Sequence, residues 1–88
     1  MRLDKFLKVS RLLKRRTVAK EIAEAGRVFV NAKLAKPATE VCVGDRIQLH
    51  YGRHQVLVEV LQIKDHVPAS QADHMYTVIE DKVTPNQP

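Results

Sequence analysis

Residues 15–31, RRTVAKEIAEAGRVFVN, contain the point at which the spacing of the apolar side chains changes from that of a helix to that of a strand. Before Gly26, apolar side chains recur at the spacing of one helix face: Val18, Ala19, Ile22 and Ala25. After Gly26, Val28 and Val30 alternate with other residues, as in a β-strand. Thr17 is a suitable N-cap for the helix, and Gly26 is a suitable residue to end it. The stretch therefore predicts a helix that leads directly into a sheet.

A first helix is predicted upstream of this stretch. Leu3, Phe6, Leu7 and Ser10 recur at helical spacing and share one side of it. Residues 12–16, which are rich in Arg and Lys, interrupt this spacing. The sequence thus predicts two short helices joined by a basic turn.

Downstream of the second helix, the apolar pattern predicts strands at 28–30, 33–36, 46–51, 55–63 and 75–79, with 55–63 the longest. Asn31 suits a two-residue hairpin turn, but Ala32 in place of Gly would cost about 1 kcal/mol there, which leaves another loop geometry open. Residues 65–74 have no apolar period and predict a mobile loop, and residues 84–88 predict a flexible tail.

The predicted fold class is therefore α+β: two N-terminal helices packed on a small, mainly antiparallel sheet of four to five strands. A chain of 88 residues has the size of one domain, which we expect to comprise residues 1–83. We expect this domain to be monomeric.

The charge of the chain is unevenly distributed. Its 15 Lys and Arg residues exceed its 10 Asp and Glu residues, for a net charge of +5. Residues 1–36 carry 11 basic and 3 acidic side chains, whereas residues 37–88 carry 4 and 7. Such a basic region is typical of proteins that bind nucleic acid.

The candidate RNA-binding residues are the basic side chains of the predicted helices and of the next turn and strand: Arg2, Lys5, Lys8, Arg11, Lys14, Arg15, Arg16, Lys20, Lys33 and Lys36. Basic helix faces are often merely solvated, but such faces usually contain acidic partners at i, i+4. In residues 1–20, Asp4 is the only acid, and the spacing predicts that it pairs with Lys8. The excess of unpaired cations favours binding to phosphates.

Residues that could carry other chemistry are sparse. We predict no catalytic residue, metal site or cofactor, because the chain has no paired acid and base, no metal-ligand cluster and no glycine-rich phosphate loop. Cys42 is predicted to be a buried strand residue, and Asp45 to bind local backbone amides. The four histidines are predicted to lie at the surface. Aromatic residues are too few for a base-stacking platform, which favours structured RNA over single strands.

Five separated blocks resemble a known family in their order along the chain: Arg2-Leu3-Asp4-Lys5-Phe6-Leu7, Arg15-Arg16-Thr17-Val18-Ala19, Gly26-Arg27-Val28-Phe29-Val30-Asn31, Lys36-Pro37-Ala38 and Val43-Gly44-Asp45-Arg46-Ile47. They are similar to the alpha-L RNA-binding motif first recognised in small-subunit ribosomal protein four, over residues 1 to about 50. One departure is Ala32, where this family usually has Gly.

The whole chain, including the segment Asp73-His74-Met75-Tyr76-Thr77, is similar to small free-standing members of this family in Bacillus-type bacteria. This resemblance implies a cytoplasmic, ribosome-associated protein of ribosome-associated quality control. It would bind the obstructed large ribosomal subunit through large-subunit rRNA and peptidyl-tRNA, and would support RqcH-dependent alanine tailing of the stalled nascent chain. Arg2, Arg11 and Arg16 would be the principal RNA contacts.

Three alternatives remain open. The first is a heat-shock-type ribosome-binding protein that recycles large subunits with attached nascent chains, although such proteins usually have a longer basic C-terminal extension. The second is an RNA-modifying enzyme, but only about 38 residues follow the motif, too few for an ordinary catalytic domain. The third is a protein of the membrane surface, for which the chain lacks an amphipathic helix with large exposed apolar residues. We therefore expect no membrane partner.

Overall fold

The computed structural model describes residues 1–83. Its elements, in chain order, are the helices α1 (Leu3–Val9) and α2 (Arg16–Glu24), the strands β1 (Val28–Val30), β2 (Lys33–Leu34), β3 (Arg46–Tyr51) and β4 (His54–Val60), a 3-10 helix (Ala69–Met75) and the strand β5 (Tyr76–Val83). The predicted flexible tail, residues 84–88, lies outside the described residues.

The five strands form one sheet in the order β2-β1-β3-β4-β5, and every neighbouring pair is antiparallel. This confirms the predicted α+β class. β2 and β5 form the two edges of the sheet. The side chains of α1, α2 and the central strands share one core, in which Phe6, Ile47 and Val58 are fully buried.

Helix α2 begins one residue after Arg15, whose extended backbone (φ −131°, ψ 139°) occupies the N-cap position. The prediction that Thr17 caps this helix is therefore wrong. Arg16 is already helical, and its guanidinium reaches the carboxylate of Asp4 on α1. No side chain caps the start of α2.

The end of α2 confirms the role predicted for Gly26. Ala25 is the C-cap, and Gly26 follows it with a φ of +77°, in the left-handed region that glycine adopts without strain. The Gly26 amide donates to the Ala23 carbonyl (3.1 Å), and the Arg27 amide donates to the Ile22 carbonyl (3.0 Å). These two bonds are the Schellman pattern, and they turn the chain from α2 into β1.

The hairpin of β1 and β2 keeps a two-residue turn in which both residues are left-handed, Asn31 with a φ of 52° and Ala32 with a φ of 66°. The chain thus adopts the geometry that glycine would favour and not another loop. The Asn31 side chain holds the turn, since its Nδ2 donates to Asp45 (3.1 Å) and its Oδ1 accepts from the Arg46 amide (3.0 Å).

The second half of the sheet differs from prediction in three ways. β4 ends at Val60 and not at Ile63, because the amides of Leu61 and Gln62 both donate to the Met75 carbonyl (2.8 and 3.3 Å). β5 continues to Val83, so it and not β4 is the longest strand of residues 1–83.

The predicted mobile loop at 65–74 is the third difference, since most of it is the 3-10 helix. Ala72 and Met75 in this helix and Val67 before it are buried, but these are too few apolar side chains to reveal a helical period in the sequence. Among residues 1–83, no helix has the length and apolar content needed to cross a membrane.

Candidate nucleic-acid interface

The carboxylate of Asp4 lies at the centre of the basic surface, on the first turn of α1, with only 3% of its side chain exposed. Arg2 binds both of its oxygens, with Nε donating to Oδ1 (3.2 Å) and Nη2 donating to Oδ2 (3.1 Å). Arg16 donates from Nη2 to Oδ1 (3.4 Å), and the Lys5 amide donates to the same oxygen (2.7 Å). One acid therefore joins the start of α1 to the start of α2.

The charge state of Asp4 follows from these contacts. Burial alone would raise its pKa, but the hydrogen bonds from Arg2 and the Lys5 amide, together with the positive charge of Arg16, outweigh burial and lower the pKa below its ordinary value. Asp4 is therefore ionised at neutral pH and holds the two guanidinium groups in place.

The expected pairing of Asp4 with Lys8 is wrong. The carboxylate is directed into the interface of α1 and α2, whereas Lys8 is exposed. Arg2 and Arg16 remain 51% and 50% exposed in spite of their contact with Asp4, so part of each guanidinium still faces solvent. Each can donate further hydrogen bonds to an external anion.

Three grooves line this side of the molecule. The first, with a volume of about 310 Å³, is formed by Arg2, Asp4, Arg16, Thr17 and Lys20. The Nζ atom of Lys20 also lies 4.0 Å from Oε1 of Glu24, one helical turn further along α2. Three of the predicted RNA-binding cations thus line one groove together with Asp4.

The second groove, of about 300 Å³, brings together Lys8, Arg11 and Lys14 at the turn between the helices. Arg11 follows the C-cap residue Ser10 and has a φ of 62°, in the left-handed region that ordinary residues avoid. Its amide donates to the Lys8 carbonyl (3.0 Å), which ends α1. The strained backbone at Arg11 therefore places a cation where a glycine would otherwise end the helix.

The third groove, of about 500 Å³, lies where Lys14 and Arg15 meet Tyr51 at the end of β3. Tyr51 is 50% exposed. It was not among the predicted site residues, because 35 positions separate it from Arg16 and only the packing of β3 against the helical turn brings it there. Its aromatic character in an otherwise aromatic-poor chain was the only signal in the sequence.

The remaining predicted residues lie around these grooves or apart from them. Lys5 pairs with Asp65 (3.0 Å). Lys36 begins the turn that packs on the start of α1, where the Leu3 amide donates to the Thr39 carbonyl (2.8 Å). Lys33 lies on the edge strand β2, whose Leu34 neighbours Gly26 at the opposite end of α2 from Arg16.

Two further predictions concern Cys42 and Asp45, which lie shortly before β3. Cys42 is exposed in the turn before β3, so the prediction of a buried strand residue is wrong. Asp45 accepts a hydrogen bond from the Cys42 amide (2.8 Å), which confirms that it binds a local backbone amide. Within residues 1–83, no group of three or more His, Cys, Asp or Glu side chains could hold a metal ion.

The chain is similar to one known domain family and, over most of its length, to proteins that share one name. The family model of the S4 domain matches residues 1–47, which contain α1, α2, β1 and β2 and all ten predicted RNA-binding cations. The chain is 49% identical over 81 residues to the RQC P-site tRNA stabilizing factor of Streptococcus pneumoniae, covering 92% of each chain. It is 46% identical over 82 residues to the protein of the same name from Bacillus subtilis, covering 93% of this chain and 95% of that one.

A solved structure is similar as well. The trimeric structure of Vibrio cholerae heat shock protein 15 superposes with a TM-score of 0.82 at 33% identity, covering 89% of this chain and 80% of the other.

Proposed function

Because this chain belongs to the S4 domain family, in the group of the RQC P-site tRNA stabilizing factors, we propose that it binds RNA on the large ribosomal subunit and stabilises a tRNA there during ribosome-associated quality control. Its RNA ligands are large-subunit rRNA and peptidyl-tRNA on an obstructed subunit. The protein acts in the cytoplasm, at the ribosome.

The observation that supports this function best is the arrangement of Arg2 and Arg16 on the buried Asp4. The Arg2 guanidinium donates one hydrogen bond to each carboxylate oxygen of Asp4, and Arg16 donates to one of the same oxygens. Guanidinium groups whose free N–H bonds point outward from a fixed position suit the spaced phosphates of a folded RNA. A mobile lysine surface would attract RNA equally but would orient it less.

The ten predicted cations form the RNA-binding site, with Arg2, Arg11 and Arg16 as its principal contacts. The first two grooves contain six of the ten: Arg2, Arg16, Lys20, Lys8, Arg11 and Lys14. They extend over both helices and the turn between them, so that one helical surface can contact phosphates of two RNA segments. We infer that the protein works as a bridge between rRNA and tRNA.

The protein has no catalytic role in this proposal. The alanine tail is made with RqcH, which recruits the alanyl-tRNA, and this chain, as a monomer, keeps the peptidyl-tRNA in position. Addition of this protein to stalled subunits and alanyl-tRNA without RqcH is expected to give no tail. Tail synthesis in that mixture would contradict the assignment.

A heat-shock-type function, in which the protein recycles large subunits with attached nascent chains, is the second candidate. The structural similarity to heat shock protein 15 supports it. The sequence identity is lower, however, at 33% against 49% and 46% for the two stabilizing factors. Heat shock protein 15 is therefore the less similar of the two groups.

The variant Arg16→Ala tests the proposed site. Loss of a charge-assisted hydrogen bond to phosphate is expected to weaken binding to large subunits that carry peptidyl-tRNA at least about tenfold, or about 1.5–3 kcal/mol. The dependence of log K on log salt is expected to fall by about one. Co-sedimentation with and without RqcH measures the binding.

Arg46→Ala is a matched control, because Arg46 on β3 is similarly exposed (58%) and also pairs with an acid, Glu59 at 3.6 Å. It is expected to leave subunit binding unchanged. Equal binding by Arg16→Ala and the wild type would contradict the site. So would a loss in Arg16→Ala that matches its loss of folded protein, measured by thermal melting.

A further inference from the structure

The third groove has a composition unlike the other two. Leu12, Leu13 and Val18 form its walls, Lys14 and Arg15 line it with cations, and Tyr51 is half exposed beside them. The other two grooves contain no aromatic side chain, and each is lined mainly by charged residues. A groove lined by both buried or partly buried apolar side chains and cations suggests a ligand with a flat apolar surface and negative charge next to it.

A nucleotide has this combination of properties. Its base offers a flat apolar surface that stacks on aromatic rings, and its phosphates bind Lys and Arg. Stacking on one aromatic ring is tolerant of base identity because every base has a π-face. A groove of about 500 Å³ lies within the range of pockets that hold small organic molecules, so it has room for one base.

We propose that this groove binds one unstacked nucleobase of the bound RNA, with the base on the ring of Tyr51 and the adjacent phosphates on Lys14 and Arg15. The proposal rests on the proposed function, since it requires that RNA lies on the helical surface. It adds a contact to a base, whereas the first two grooves contact phosphates.

The position of the groove supports RNA as its occupant. Lys14 and Leu13 line both this groove and the one with Lys8 and Arg11, so the two grooves are adjacent. An RNA strand that follows the cations Lys8, Arg11 and Lys14 is thereby led to Tyr51. An apolar side chain of a protein partner could pack against the apolar residues of the groove, but it would leave Lys14 and Arg15 without a negatively charged partner.

The test compares two probes, a short RNA stem-loop with a single bulged adenosine and the same stem-loop without the bulge. Wild-type protein is expected to bind the bulged RNA at least about fivefold more tightly. Tyr51→Leu keeps an apolar side chain but removes the ring, and is expected to abolish this preference by weakening the binding of the bulged RNA more than that of the paired RNA. Tyr51→Phe keeps the ring and is expected to keep the preference.

Tyrosine fluorescence gives a direct signal, because the chain has two tyrosines and no tryptophan. In a Tyr76→Phe background, Tyr51 is the remaining fluorophore. The bulged RNA is expected to quench its emission, and the paired RNA to quench it less. Thermal melting of each variant checks that the half-exposed Tyr51 can be replaced without unfolding the domain.

The outcomes separate the two proposals. Failure of the wild type to bind either RNA at low salt would overturn the proposed function together with the base site. Equal binding of both RNAs by the wild type, or an unchanged preference in Tyr51→Leu, would overturn the base site alone. If Tyr51→Leu kept its RNA preference but lost RqcH-dependent association with obstructed subunits, a protein side chain would be the occupant and the nucleobase proposal would fail.

Discussion

Asp4 is an acid within the surface proposed to bind RNA, where it contacts two of the proposed RNA-binding arginines, Arg2 and Arg16. A buried carboxylate is costly unless its oxygens are bonded, and here Arg2, Arg16 and the Lys5 amide all donate to it. These hydrogen bonds restrict the rotation of the Arg2 and Arg16 side chains and hold both guanidinium groups next to Asp4. Ligands that bind preorganised groups lose less entropy in binding. We therefore propose that Asp4 influences RNA binding by positioning Arg2 and Arg16.

Replacing Asp4 with Asn separates this role from simple repulsion of RNA. Asp4→Asn raises the net charge from +5 to +6, which alone would strengthen RNA binding. We expect instead that binding weakens by about threefold or more, because the arginines lose their fixed orientation. Fluorescence anisotropy with labelled RNA measures the effect at a temperature where circular dichroism shows folded protein.

Asp65→Asn is the matched control. It changes the charge equally and also removes the partner of a site cation, Lys5, but Asp65 is 86% exposed. Exposed ion pairs orient side chains weakly, so this variant is expected to bind RNA as tightly as the wild type or more tightly. If Asp4→Asn also bound more tightly, the positioning role of Asp4 would be refuted.

Arg11 combines backbone strain with a cation of the second groove. Arg11→Gly removes the cost of the left-handed conformation and is expected to stabilise the fold by about 1 kcal/mol, or roughly 4–8 °C in melting temperature. The same change removes a proposed phosphate contact, so RNA binding is expected to weaken. Arg11→Ala, which keeps the strain, is expected to weaken binding without raising the melting temperature. A tighter complex with Arg11→Gly would contradict the assignment.

At the scale of elements, the hairpin of β1 and β2 shows how neighbouring contacts override local preference. Ala32 is left-handed although alanine disfavours that region, and the turn persists because the Asn31 side chain is hydrogen-bonded to Asp45 and to the amide of Arg46, the first residue of β3. The Asn31 amide also donates to the Arg46 carbonyl (2.8 Å). The hairpin is thus held by the next strand as much as by its own turn residues.

Ala32→Gly is therefore expected to stabilise the protein by about 1 kcal/mol, with no change in RNA binding. Ala38→Gly serves as the control, since Ala38 is also exposed in a turn but lacks a positive φ, and glycine there is expected to lower stability slightly. Melting temperatures of the two variants measure the difference. A lower melting temperature for Ala32→Gly would mean that the turn is not strained.

At the scale of the whole molecule, charge and stability are linked through the same surface. The basic helices carry the candidate site, and the acids Glu80 and Asp81 lie on β5, an edge strand of the sheet. A molecule with such polarity turns its basic side toward RNA as it approaches. The stability of that side depends on Asp4, which connects α1 to α2.

The lowered pKa of Asp4 predicts how stability depends on pH. Because the folded pKa lies below the ordinary value of 3.8, the folded state favours the ionised form. The stabilisation is complete above the unfolded pKa and is lost as the pH falls through the folded pKa. Urea unfolding at pH 7 and near pH 3 measures this loss, which is expected to be smaller in Asp4→Asn. An identical loss in both proteins would exclude Asp4 as its source.

The sequence alone predicted the order of the two helices and the five strands and the clustering of cations on the helices, because apolar period and charge are local properties of the chain. Gly26 ended α2 as its type predicts, for the same reason. Contacts between distant residues were decided only by the tertiary structure. The partners of Asp4, the approach of Tyr51 to Lys14 and Arg15, and the burial of Met75 all require elements far apart in sequence to pack together. Such contacts depend on the free energy of burying whole surfaces, which no short pattern of residues records.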